Sequence, residues 1–174
     1  MRESAKRKAG LATVGVYGFT LEEFLRTLRD ADVRLLLDVR QRRGVRGPQY
    51  AWANAKRLQA ALAKAAIEYR HHPELAPTTE LRRLQYREDD RLGVGKRSRT
   101  ELAPEYRERY ITEILDRADL DELVAELPDE GAGALFCVER DPQACHRSLI
   151  AGRMAAEYGV PVTQIGRASC RERV

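Results

Sequence analysis

Short apolar runs alternate with amphipathic stretches along almost the whole chain. LATVGVYG (11–18) is apolar, β-branched and closed by glycine, which predicts a buried strand. Thr20 opens T-L-E-E, a capping box, and Leu21, Phe24, Leu25 and Leu28 give the apolar stripe of a helix over 20–31. VRLLLDVR (33–40) is apolar at successive positions up to Asp38, so both of its faces are expected to be covered. Further helices are expected over 53–66, 79–91, 104–117, 120–127 and 145–158, the last closed by Gly159. Further strands are expected over 67–72, 133–139 and 160–165. The alternation predicts an α/β fold: a single domain over 11–165, with a mostly parallel central sheet of about five strands and helices on both faces.

At 174 residues the chain suits one substantial core. No apolar run reaches the roughly 18–20 residues of a membrane span, so no membrane partner is expected. Residues 1–10 are basic and lack the apolar core of a signal peptide, so they are expected to be a disordered tail and the protein cytoplasmic. The final IGRASCRERV reads as a translated sequencing adapter (ATC GGA AGA GCG TCG TGT AGG GAA AGA GTG), which makes 166–174 a non-native tail. That segment holds three arginines and one glutamate, so without it the formal charge of +4 falls to +2. Cys170 goes with it, leaving Cys137 and Cys145. A sequence pI near 9.1 is then a weaker argument for nucleic acid than the local clustering of charge.

In a parallel sheet the carboxyl ends of the strands share one rim, where ligands bind. Four strand ends carry polar groups: Tyr17-Gly18; Asp38 and Arg40; His71, His72 and Glu74; Cys137 and Glu139. Cys145 stands at the expected start of the last helix, beside His146 and Arg147, where positive charge and dipole favour a thiolate or bind an anion. The bland alternative is two buried thiols, with Arg147 paired to Asp141 or Glu139. A thiol phosphatase loop is excluded, because Cys-x5-Arg would need arginine where Gln143 and Ala151 stand. The cysteine spacing is unlike the close pairs of zinc sites, so no metal is expected. Arg40, Arg42, Arg43 and Arg46, with Gly44 and Gly47 between them, form a loop suited to phosphate; a solvated loop is the plainer reading. Lys96, Arg97 and Arg99 form a second basic run, and Tyr50 and Trp52 are candidates to stack a base. His72, next to the turn, is the histidine expected to serve as acid or base.

Together the segments VYGFTLEEF, LLLDVR, YRHHPEL and CVERDPQACHR resemble the domain-of-unknown-function family 488. The last matches the family's Cys-x-Glu-x-x-Pro-x-x-Cys-His-Arg at each fixed position. Two departures stand out: Tyr17 precedes Gly18, reversing the usual order, and PELA replaces Pro-Glu-Leu-Gly. The resemblance spans about residues 12–165. It implies an α/β fold and marks Asp38, Arg40, His72, Glu74, Cys137, Glu139, Cys145, His146 and Arg147, without implying a substrate.

Three functions fit these residues. One is an enzyme acting on a nucleotide or nucleic-acid-derived phosphate ligand. In it Asp38, His72, Glu74, Cys137, Glu139, Cys145 and His146 would be catalytic, with Tyr17, Gly18, Arg40, Arg42, Arg43 and Arg147 binding ligand. The second is a non-catalytic module for nucleic acid or another anion. The third is a thiol-redox or sulfur-handling protein, given the rhodanese-like LLLDVR. The sequence names no cofactor and no oligomeric state.

Overall fold

The structure, a computed structural model, describes residues 9–166. Most of the expected N-terminal tail (1–10) and most of the expected non-native tail (166–174) lie outside the described residues. Five strands form one sheet: β1 (Gly10–Gly15), β2 (Val33–Asp38), β3 (Glu68–His71), β4 (Ala132–Cys137) and β5 (Val162–Gln164). Their order is β3-β2-β4-β1-β5, and every pairing is parallel. Six α-helices connect them: α1 (Leu21–Asp30), α2 (Ala55–Lys64), α3 (Thr79–Leu92), α4 (Pro104–Glu113), α5 (Leu120–Glu126) and α6 (Arg147–Tyr158). No helix among the described residues is long and apolar enough to cross a membrane.

Local chemistry sets the element ends. Thr20 caps α1 by accepting from the Glu23 amide at 3.2 Å, as the capping box predicts. Thr78 caps α3 through the Leu81 amide, and Asp119 caps α5 through that of Glu122. Gly159 ends α6 in the left-handed conformation, φ 64°. Leu35, Leu36 and Leu37 of β2 are buried in succession, as a strand covered on both faces requires, while Arg34 near its start is exposed.

The chain moves in one direction across the sheet from β1 through β2 to β3, then reverses to reach β4 and β5. Right-handed crossovers place α1 and α2 on one face and α3–α6 on the other. At the adjacent ends of β2 and β4 the chain therefore leaves in opposite directions, and a crevice opens there.

Five boundaries differ most from expectation. β1, β2 and β4 stop at Gly15, Asp38 and Cys137, two or three residues early. The helix expected over 104–117 breaks at Ile114 and continues as a 3-10 turn, Leu115–Arg117. The helix expected from Cys145 begins at Arg147. Asp141 accepts from the Gln143 amide at 3.0 Å and starts a separate 3-10 turn, Pro142–Ala144, which leaves Cys145 extended at φ −137°, ψ 146°.

Candidate functional site

The ends of β1 and β4 are held together before any side chain acts. The amides of Val16 and Tyr17 both donate to the Val138 carbonyl at 3.1 Å. Gly15 is the contact point: a Cβ built there would stand 1.9 Å from the Glu139 carbonyl oxygen. Only glycine permits this approach. Arg147, fully buried, crosses from α6 and donates from Nη1 to the Glu139 carbonyl at 2.6 Å and from Nη2 to that of Arg140 at 3.3 Å. These contacts fix where Cys137 and Glu139 stand.

Four buried side chains converge there. His146 Nδ1 lies 3.6 Å from Cys145 Sγ and 3.9 Å from Cys137 Sγ. Its Nε2 donates to the Val39 carbonyl at 2.9 Å, so in the neutral ring Nδ1 turns its lone pair toward the sulfurs. The Cys137 thiol donates to Glu139 Oε2 at 3.4 Å. Tyr110 packs against the imidazole, ring centroids 5.5 Å apart, and anchors its own hydroxyl on the Leu75 carbonyl.

Burial opposes ionisation of Cys145, but the Cys137 hydrogen bond, His146 and Arg147 outweigh it and hold that thiol well below its ordinary range. Cys137 moves the other way: its hydrogen bond to Cys145, burial and the negative neighbours push it well above. Burial and the neighbouring Cys145 raise the Glu139 carboxyl, against the pull of Lys96, His146 and Arg99. For His146, burial lowers the pKa, and Cys145, the Val39 carbonyl and Glu139 more than compensate, raising it.

Glu139 is positioned through a buried chain of partners. Arg99 Nη1 stands 3.5 Å from Glu139 Oε1 and also donates to the Ala144 carbonyl at 3.3 Å. Arg99 is held by Asp89, its Nε 2.9 Å from Oδ1. Asp89 in turn accepts from Gln85 Nε2 at 2.9 Å, and Gln85 accepts from the Ala103 amide at 2.8 Å. Helix α3 and the 93–104 loop are thus tied to the tip of β4.

Above this cluster lies a cleft of about 640 Å³. Cys137, Glu139, Cys145 and His146 lie at its base, with Tyr17, Arg40 and Arg42 also in its lining. So seven of the thirteen residues expected at the site share one cleft. The walls add Arg46 from the arginine loop, Arg82 and Arg83 from α3, and Lys96 and Arg99 from the second basic run. Seven cationic residues therefore face one carboxylate, Glu139. Among the described residues Arg42, Arg46, Arg82, Arg83 and Lys96 make no ion pair within 4.0 Å. Tyr86, 39% exposed, gives the wall an aromatic face.

The remaining expected residues lie outside the lining of the cleft. Asp38 is fully buried and saturated: Oδ1 accepts from the Arg40 amide and Nε, and Oδ2 from Arg40 Nη2 and the Tyr69 hydroxyl. Arg40 reaches the cleft, but its fork is taken by Asp38 and by the Ala53 carbonyl at 2.9 Å. Arg43 leans on the Tyr69 hydroxyl at 3.4 Å. His72 ties the end of β3 to α5, with Nδ1 2.6 Å from Glu74 and Nε2 2.9 Å from Glu126. His71 is not in the lining; its Nε2 donates to the Arg40 carbonyl at 2.7 Å. The Gly18 amide donates to the Tyr50 hydroxyl, and Arg97 stacks over the Tyr17 and Tyr50 rings at 5.2 and 5.3 Å. Trp52, a candidate base platform, packs on Phe24 instead, 4.8 Å between centroids.

Sequence reasoning missed Gly15, Arg82, Arg83, Tyr86, Asp89 and Gln85. For the α3 residues the signal was its polar face, four arginines and four acidic residues that read as an ordinary solvated helix. No curated protein and no solved structure matches the chain. One family does, over residues 20–154, a span that takes in the β2 end, the basic walls and the whole cysteine-histidine cluster: the chain belongs to the family described as Domain of unknown function DUF488.

Proposed function

We propose that this protein is an enzyme acting on a phosphate-bearing ligand, a nucleotide or nucleic-acid-derived fragment, bound in the cleft at the carboxyl rim of the sheet. The observation that carries this reading is the pairing of a strongly cationic wall with a buried Cys137, Glu139, Cys145 and His146 cluster at its base. Unpaired arginines supply bidentate phosphate contacts. Tyr86 supplies a face on which a base can stack. Neither cysteine heads a Cys-x5-Arg loop, so neither is the nucleophile of a thiol-phosphatase reaction. Chemistry falls to the buried cluster, with Glu139 placed to exchange a proton beside the sulfurs.

The test is a thermal-shift screen of the full chain against mononucleotides, sugar phosphates, and short DNA and RNA. A mononucleotide or sugar phosphate that raises the midpoint in the wild type but not in an Arg82→Ala/Arg83→Ala variant supports the reading. Glu139→Gln should bind that ligand yet fail to turn it over. Binding of polynucleotide alone, steeply salt-dependent and indifferent to Glu139→Gln, would make the protein a non-catalytic module and overturn the enzyme reading. So would silence across the set from folded protein.

A further inference from the structure

We propose that Cys137, Cys145 and His146 form a three-ligand site for a thiophilic divalent cation, zinc first, whose fourth position opens into the basic cleft. The sequence reads against a metal because Cys137 and Cys145 are eight residues apart and neither belongs to a close pair. The fold removes that objection. Cys137 comes from the tip of β4, Cys145 is the extended residue before α6 and His146 is the N-cap of that helix, and the three potential ligand atoms lie within 4.8 Å of one another.

The geometry suits a tetrahedral ion. Zinc with sulfur at about 2.3 Å and nitrogen at about 2.0–2.1 Å sets its sulfur and nitrogen ligands about 3.5 Å apart. The two sulfur–nitrogen separations here are 3.6 and 3.9 Å. The ring is also presented the right way round. Nε2 donates to the Val39 carbonyl, so Nδ1 is the atom facing the sulfurs with its lone pair, the outer-shell arrangement that metal-binding histidines need. A thiolate pair with imidazole selects zinc over calcium or magnesium. Two thiolates also cancel the charge of a divalent ion, which suits a site where all three ligands are at most 5% exposed.

Three protein ligands leave one position, and the cleft reaches all three of them. Glu139 flanks that opening: Oε2 is 3.4 Å from Cys137 Sγ, while Oε1 is steadied by Arg99 at 3.5 Å. A carboxylate beside an open metal position is placed to take a proton from a bound water, so the site has the composition of a catalytic centre. The inference is independent of which anion the cleft takes.

The experiment uses the full chain, purified under reductant, stripped with a chelator and reconstituted with Co²⁺. The expected result is uptake of about one equivalent, with sulfur-to-cobalt charge-transfer bands and the intense visible bands of tetrahedral cobalt. Zinc should displace the cobalt and raise the thermal midpoint. Cys137→Ser and Cys145→Ser should each lose the charge-transfer intensity, while Cys170→Ser and Glu139→Gln retain the bands. Wild-type protein that takes up no cobalt overturns the proposal, and that measurement needs no variant to fold. Bands that persist in the Cys137→Ser/Cys145→Ser double variant also overturn it, as does a Cys137–Cys145 disulfide that added oxidised glutathione, itself reduced to two thiols, forms as fast with zinc present as without.

Discussion

Two polar clusters sit at the ends of neighbouring strands, and they differ in what their groups have left to offer. At the end of β2, Asp38, Arg40 and Tyr69 close on one another, so that both Asp38 oxygens and the Arg40 fork have protein partners. At the end of β4, Cys137, Cys145 and His146 converge at 3.6 and 3.9 Å, with Glu139 and the Val39 carbonyl as further partners, and face a cleft. Both clusters are buried and both hold charged groups. Only the second places thiols, whose hydrogen-bonding neighbours stand at 3.4–3.9 Å, in the lining of the cleft. A saturated network rigidifies, whereas an under-saturated one at a crevice is where a ligand or ion gains most.

The largest expected effect tests the first half of that contrast. Asp38→Ala strands Arg40, 2% exposed, without its carboxylate. Breaking such a buried pair costs about 3–5 kcal/mol. Urea unfolding should show a loss of that order. A loss below about 1 kcal/mol would mean that Arg40 swings into the cleft and belongs with the binding residues after all.

Next in size is Gly15→Ala. The added methyl meets the Glu139 carbonyl, which is backbone and cannot rotate away. Overpacking of this kind costs about 1–3 kcal/mol, and it displaces Glu139 from the cysteines. Gly152→Ala on α6 is the matched control, since its Cβ meets nothing within 4 Å. That substitution should stabilise by about 0.5–1 kcal/mol through helix propensity. Equal effects at the two glycines would show that Gly15 does not set the geometry of the β4 end.

These contrasts explain what the sequence could and could not display. The strands, their parallel order and the shared rim follow from apolar runs such as Leu35–Leu37, from caps such as Thr20 and from the stop at Gly159. The basic loop and the cysteine–histidine pair follow from local composition. Saturation does not. Nothing near Asp38 in sequence announces that Tyr69, thirty-one residues on, donates to it. Nor does any local pattern show that Arg99 lies beside Glu139, or that Arg147 donates to the Glu139 and Arg140 carbonyls. Residue type and strand-end position nominate candidates. Partners distant in the chain decide which of them remain available.

His72 supplies the smallest effect and the finest test, because by type and position it looked catalytic. Both ring nitrogens meet carboxylates, Glu74 at 2.6 Å and Glu126 at 2.9 Å. Burial opposes the charge, but Glu74 and then Glu126 outweigh it and raise the imidazolium above its ordinary range. A raised folded-state pKa means a stabilising contribution fully present below the unfolded value of about 6.5. It is lost as pH rises through the folded value. Glu74 is mostly exposed, so screening keeps the contribution to a few tenths of a kcal/mol. His146 gives a slope of the same sign, so the informative quantity is the difference between wild type and His72→Gln. Urea midpoints compared from about pH 5.5 to 8.5 should show the wild-type advantage shrinking on the alkaline side. An advantage that grows with pH would mean that His72 is held neutral. It would then be available as a base, and the β3 end would have to be counted with the cleft.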